Sequence, residues 1–234
     1  GRHVAYKALL SQEHLPPLVI QRFIHEVQIT AQLDHPYIIP VYRLAYPEEG
    51  LPTYTMKKVE GLTLKDILAQ TRQALDQHIM PEYSREHLLT LFLKVCDAMG
   101  FAHARQVIHR DLKPANIMVG SYEDVYVMDW GIARRFGVSE AQRSLGTADL
   151  LQADLTQAGQ ILGTPRYMSP QQAAARNQHL DGRSDLFALG LILFEICTLK
   201  PAIQADSQIG LLKQILQAKL APFTPYQSHK IAQQ

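Results

Sequence analysis

Apolar positions along the chain follow two rhythms. Val4-Ala5-Tyr6-Lys7-Ala8-Leu9 is a short apolar run with one lysine inside it, which predicts a strand. Pro16 and Pro17 mark a loop. Phe23, Val27 and Thr30 then recur at helical spacing within a helix expected over about 18–33, and Pro36 follows its end. Residues 38–45 and 53–59 read as two strands separated by the turn-rich Pro47-Glu48-Glu49-Gly50. From Gly61 the pattern becomes mostly helical. A helix is expected over 62–77. A longer one over 84–105 carries Leu88, Leu91, Phe92, Val95, Met99 and Ala102 on one face. Short strands are predicted at 107–108, 117–119 and 125–128. Residues 132–163 show little periodicity and read as one long loop, a kind of segment that is often functional. An apolar helix over 184–198 and an amphipathic one over 207–220 complete the pattern. The arrangement predicts an α+β chain: a small lobe over 1–60, a hinge near Gly61, and a larger helical lobe over 61–234.

Composition narrows the function classes. The 234 residues include 23 Lys plus Arg and 22 Asp plus Glu, a net charge of +1. Such a chain has no overall field for nucleic acid or an anionic membrane, so neither is expected as a partner. The apolar share of 47% is enough to build a core. The longest strongly apolar stretch, 186–198, is interrupted by Gly190 and Glu195 and is short for a membrane span. No signal-peptide pattern opens the sequence. Cys96 and Cys197 each sit inside an apolar helical pattern, as reduced core thiols in a cytoplasmic setting would.

The densest chemistry lies in His109-Arg110-Asp111-Leu112-Lys113-Pro114-Ala115-Asn116, between two predicted strands. Asp111, Lys113 and Asn116 can point into one cleft and supply a proton acceptor, a fixed cation and a neutral metal ligand. Asp129-Trp130-Gly131 ends a predicted strand, and an aspartate on such a turn suits a hard cation. His25-Glu26 begins like a zinc-protease HExxH, but the fifth residue is Ile29 and the motif fails.

The HRDLKPAN run followed by DWG resembles the catalytic loop and metal-binding turn of protein kinases. Val4 to Lys7 is similar to the VAIK lysine strand, and Glu26 stands where that family has its αC glutamate. The segment 163–171, GTPRYMSPQ, resembles the end of an activation segment running over 129–171, and Asp185 opens an apolar helix as the family's αF does. With HPYI at 35–38, the style resembles bacterial eukaryotic-like (Hanks-type) Ser/Thr kinases. The resemblance implies a bilobal fold, a small antiparallel-sheet lobe with the αC helix above a mostly helical lobe.

It also implies roles. Lys7 would hold the α- and β-phosphates of ATP and pair with Glu26. Asn116 and Asp129 would bind Mg²⁺. Asp111 would accept the substrate hydroxyl proton, Lys113 would neutralise charge near the γ-phosphate, and Thr164 would contact Asp111 and Lys113. Met56 would be the gatekeeper of the adenine pocket, Lys57 and Val59 its backbone partners, Ala5 and Met118 its two faces, with Thr63 near the ribose. His109, Arg110 and Asp185 would be structural. Arg110 beside Asp111 implies regulation by phosphorylation of the activation segment, with Thr156 first, then Thr147 and Ser144. The implied partner is a protein Ser/Thr substrate, and self-association for trans-autophosphorylation accompanies it.

Three departures qualify the resemblance. The Gly-rich loop would precede Lys7 by another strand and a turn, and the larger lobe's terminal helices would follow the last amphipathic helix. The expectation is therefore a domain cut at both ends and poorly active alone. Gln171 stands where the family has the glutamate of APE, and Trp130 replaces the usual Phe. The alternative reading is a pseudokinase-like interaction domain.

Overall fold

The computed structural model describes residues 3–9, 15–47, 50–136, 165–175 and 180–226. Three strands, β1 (Val4–Ala8), β2 (Val41–Ala45) and β3 (Thr53–Lys57), make an antiparallel sheet in the order β1-β3-β2. β-Branched and aromatic residues supply the propensity, and the central strand buries Tyr54. Helix α1 (Pro17–Thr30) opens on a proline, whose fixed φ suits the first turn. It packs Phe23 and Val27 against Tyr54, with Val41, Leu44 and Met56 around them. The helix stops three residues before the expected Leu33. Leu33 nevertheless stays buried, through the turn that carries the chain to His35.

A second sheet, β4 (Gly61–Thr63), β6 (Ile117–Gly120) and β7 (Val125–Val127), lies beneath the first. The helix expected from Leu62 instead begins at Leu64 as α2 (Leu64–Asp76), because Thr63 is extended and caps it. The Thr63 hydroxyl accepts from Asp66 N, and the Asp66 carboxylate accepts from Thr63 in return, closing a capping box. Gly61 has to be glycine, since a Cβ there would run into the Val119 carbonyl. Two short crossings tie the sheets together. Ile39 N donates to Val127 O and Val127 N to Tyr37 O, while Ser121 N donates to Glu60 O.

The larger core is built on α3 (Arg85–Ala104), whose Leu88, Leu91, Val95, Met99 and Ala102 are buried together with Ile192 and Ile196 of α5 (Gly182–Thr198). Each of the leucine, valine, isoleucine and methionine side chains contributes about 1.5–3 kcal/mol of burial. Ser84 caps α3 by accepting from His87 N. β5 (Val107–Ile108) pairs with β8 (Arg134–Arg135), so a strand occupies the start of the expected loop. Two arginines carry no alternation, and the pairing comes from the partner strand. α4 (Pro170–Ala173) starts at Ser169, which forms a capping box with Gln172. α6 (Gln208–Leu216) packs Leu211 and Ile215 on Leu191 and Ile203. It ends four residues before the expected Leu220, where Ala218 turns to φ 48°.

Candidate active site

Lys7 points from β1 toward α1, and its Nζ lies 2.8 and 2.9 Å from the two carboxylate oxygens of Glu26. Alternation along the strand puts Lys7 on the same face as Ala5, and one helical turn separates Glu26 from Phe23, which anchors the helix. Glu26 is buried, and the Tyr54 hydroxyl also donates to its Oε1, at 2.8 Å. Burial first, then the Glu26 charge, pushes the Tyr54 phenol far above its ordinary value. Tyr54 is a site residue that the pattern conceals, since a tyrosine in a strand reads as ordinary core.

The 109–116 loop is held from below. Asp185, at the start of α5 and almost fully buried, accepts from His109 N at 2.8 Å, from Arg110 N at 2.9 Å, and pairs with His103 Nε2 at 2.8 Å. His109 Nε2 lies 2.9 Å from Met128 O, and its Nδ1 accepts from Asp111 N. The His109 ring packs on Trp130, centroids 4.6 Å apart. Trp130 is wholly buried, so the larger ring is accommodated beneath the turn. Arg110 takes φ 70° and donates to Ile132 O, while Gln172 Nε2 donates to Arg110 O at 2.6 Å. The neighbouring Gln171 is exposed.

Above this brace, Lys113 Nζ lies 2.6 Å from Asp111 Oδ2. Asn116 Nδ2 donates to Asp111 O at 2.8 Å and to its Oδ2 at 3.1 Å. The amide nitrogen of Asn116 is thereby committed, which leaves its Oδ1 as the atom to offer a cation. Asp129 sits on the turn after β7 with φ 63°, a left-handed conformation that non-glycine residues adopt at some cost. Gly131 follows, and a Cβ there would lie 3.5 Å from Asp129 Oδ1 and 3.6 Å from Glu26 Oε2.

A cleft of about 210 Å³ joins these elements. Lys7, Glu26, Tyr54, Met56, Asn116 and Asp129 line it, with Ile39, Val41 and Met128 as apolar walls. Two oxygen donors, Asn116 and Asp129, thus face one half-exposed lysine, a donor set that fits a hard divalent cation beside phosphate oxygens. Ala5, Lys57, Val59, Thr63 and Met118 do not line this cleft, and neither do Asp111 and Lys113, which join it through the bonds from Asn116 to Asp111. Ala5 pairs with the lining residue Met56 in the sheet register, so it neighbours the cleft, while Thr63 pairs with Met118 in the second sheet. Lys57 turns its side chain to the Tyr126 hydroxyl and to Asp124. Thr164, Thr156, Thr147 and Ser144 lie outside the described residues.

Among the described residues no helix is long and apolar enough to cross a membrane. The sequence profile of the protein kinase domain matches residues 1–233. The chain is 35% identical over 205 residues to the serine/threonine-protein kinase PknD of Protochlamydia amoebophila, covering 85% of this chain and 21% of that protein. It is 34% identical to PknD of Chlamydia pneumoniae, over 85% of this chain and 22% of the relative. The serine/threonine-protein kinase PknB of Mycobacterium leprae is 34% identical over 232 residues, 98% of this chain and 33% of PknB. The chain thus spans about a fifth to a third of the length of these relatives. With the profile matched over nearly its whole length and a bilobal α+β fold around one cleft, the chain belongs to the protein kinase domain family.

Proposed function

We propose that this domain transfers the γ-phosphoryl group of ATP to serine or threonine hydroxyls of a protein substrate. The observation that carries the reading is the engaged Lys7–Glu26 pair facing Asn116 and Asp129 across one cleft. Phosphoryl transfer requires alignment and charge stabilisation, and these are the parts for it. Lys7, held by Glu26, takes the α- and β-phosphates. Asn116 Oδ1 and the Asp129 carboxylate hold Mg²⁺, which when bound neutralises charge on the phosphates. Asp111 accepts the substrate hydroxyl proton. Its Oδ2 is already occupied by Lys113 and Asn116, which leaves Oδ1 for the incoming hydroxyl. Lys113 stands beside the acceptor to balance charge as it builds on the transferred group.

The two-lobe division at Gly61, with adenine between Ala5 and Met118 and Met56 at the back of its pocket, belongs to the same proposal. So do Thr164 beside Asp111, phospho-regulation at Thr156, Thr147 or Ser144 in trans between copies, and a cytoplasmic location. The Arg110 side chain, anchored by Ile132 O, supports the regulatory part. The assembled Lys7–Glu26 pair favours a catalytic domain over a pseudokinase.

The test is transfer of radiolabel from γ-labelled ATP with Mg²⁺ to a protein acceptor, comparing the chain with Asp129→Ala. Loss of incorporation in Asp129→Ala is expected, with label in the unchanged chain mapping to hydroxyl residues including the 144–164 segment. Equal incorporation by the two proteins refutes the catalytic roles.

A further inference from the structure

We propose that Tyr54 is a positioning residue for Lys7: its hydroxyl fixes Glu26 so that α1 stays seated on the sheet whether or not Lys7 is engaged. This rests on the reading of Lys7 and Glu26 given above. The Glu26 carboxylate has two described donors, Lys7 Nζ and the Tyr54 hydroxyl, and they differ in kind. The Lys7 side chain is 40% exposed, so its ammonium can exchange Glu26 for phosphate oxygens or water. Tyr54 cannot leave. It is 3% exposed, on the central strand, with its ring 5.1 Å from that of Phe23 on the same helix as Glu26.

The hydroxyl is not needed to fill space, because a phenylalanine ring would pack equally well at Phe23, Val27 and Met56. What the oxygen adds is a bond of fixed direction to a buried acid, which would otherwise depend on a mobile lysine. The Tyr54 ring also reaches Lys7, whose Nζ lies 5.6 Å from the ring centroid, within range of cation–π attraction. One side chain therefore touches both members of the pair and orients each toward the other. Glu26 in turn stands against the metal-binding turn, with its Oε2 3.6 Å from where a Gly131 Cβ would lie. A loose Glu26 would thus disturb both phosphate and metal sides of the cleft.

The experiment uses the whole chain with Tyr54→Phe, Glu26→Leu and the double substitution, together with Lys7→Met with and without Tyr54→Phe. Two readouts are taken: kcat/KM for ATP, and amide hydrogen exchange of 17–30 in nucleotide-free protein. Tyr54→Phe is expected to lower kcat/KM roughly tenfold, the scale of one hydrogen bond to a charged group. In the Glu26→Leu background, which has no acceptor for the hydroxyl, the same change should have an effect under about twofold. Exchange of α1 should stay slow in Lys7→Met and become fast once Tyr54→Phe is added. Unchanged kcat/KM and exchange in Tyr54→Phe overturn the proposal. An equal loss in the Glu26→Leu background also overturns it, since the ring would then act through packing alone. A Tyr54→Phe chain that fails to fold counts against it too, because a positioning hydroxyl is dispensable for folding. Should turnover be below detection, the exchange pattern decides. Full kcat/KM in Lys7→Met would instead refute the role of Lys7, whatever Tyr54 does.

Discussion

Replacement of Asp185 by alanine removes the acceptor of two buried backbone N–H groups, those of His109 and Arg110, and the partner of the His103 ring. An orphaned buried donor costs about 1–3 kcal/mol. Two of them, with a broken contact to a ring nitrogen, amount to about 3–5 kcal/mol, a large share of the ~5–15 kcal/mol that holds a domain together. At about 2.1 cal/mol/K per residue the unfolding entropy of this chain is about 0.5 kcal/mol/K, so a loss of about 4 kcal/mol lowers the melting temperature by about 8 °C. Asp185→Asn keeps a carbonyl for one N–H and presents an amide to the other, so roughly half that shift is expected. Activity should fall further than stability. Arg110 is held at φ 70°, and without its anchor it relaxes and carries Asp111 out of line. Misplacement of an aligned group by ~1 Å lowers the rate on the order of a hundredfold. The assay is thermal unfolding followed by circular dichroism, with label transfer measured well below the midpoint. A midpoint for Asp185→Ala within about a degree of the unchanged chain would show that these bonds do not brace the loop.

Two further outcomes follow from capping and burial. Thr63→Ala removes the capping box of α2 and is expected to lower stability by about 1 kcal/mol while leaving KM for ATP unchanged; a raised KM with unchanged stability would instead place the hydroxyl at the ribose. Burial raises the phenol of Tyr226 to about 12, and burial with an adjacent glutamate raises those of Tyr54 and Tyr167 further. An unfolded tyrosine titrates near 10, so the stability these neutral phenols contribute is complete below about pH 10 and is lost as pH rises through the folded values. Denaturant melts should weaken steadily above about pH 10, and spectrophotometric titration should find phenols that ionise only with unfolding; full ionisation of all tyrosines at 10 in folded protein would contradict it.

Much of the site was legible because its chemistry is compressed. Asp111, Lys113 and Asn116 lie within six positions, and Asp129 follows on a strand-end turn, so residue type and spacing alone suggest a cleft. Lys7 and Glu26 were legible only through resemblance, since a lysine in a strand and a glutamate in a helix are individually unremarkable. Tyr54 and His103 escaped for a physical reason: their roles depend on where a hydroxyl or ring nitrogen points, which hydrophobic rhythm does not encode. In the fold, long helices such as α3 appeared within a residue or so of their expected ends because many apolar positions vote together. β4 and β8 did not appear, β4 because its residues read as the start of the following helix and β8 because two arginines offer no apolar position. Leu62 fits the apolar stripe of the following helix, yet its backbone belongs to a ladder with Val119.

The connections between the two sheets limit how the molecule can articulate. Lys57 N is bonded to Pro40 O on the upper side, and Glu60 O to Ser121 on the lower, with Lys58 and Val59 between these two points. The other strap, near Ile39, is clasped on both sides by Val127. On the proposed function, opening of the cleft is expected to work like a door on two pins. Its axle would run from Lys58-Val59 to Ile39, with the widest swing at β1, the edge strand that carries Lys7.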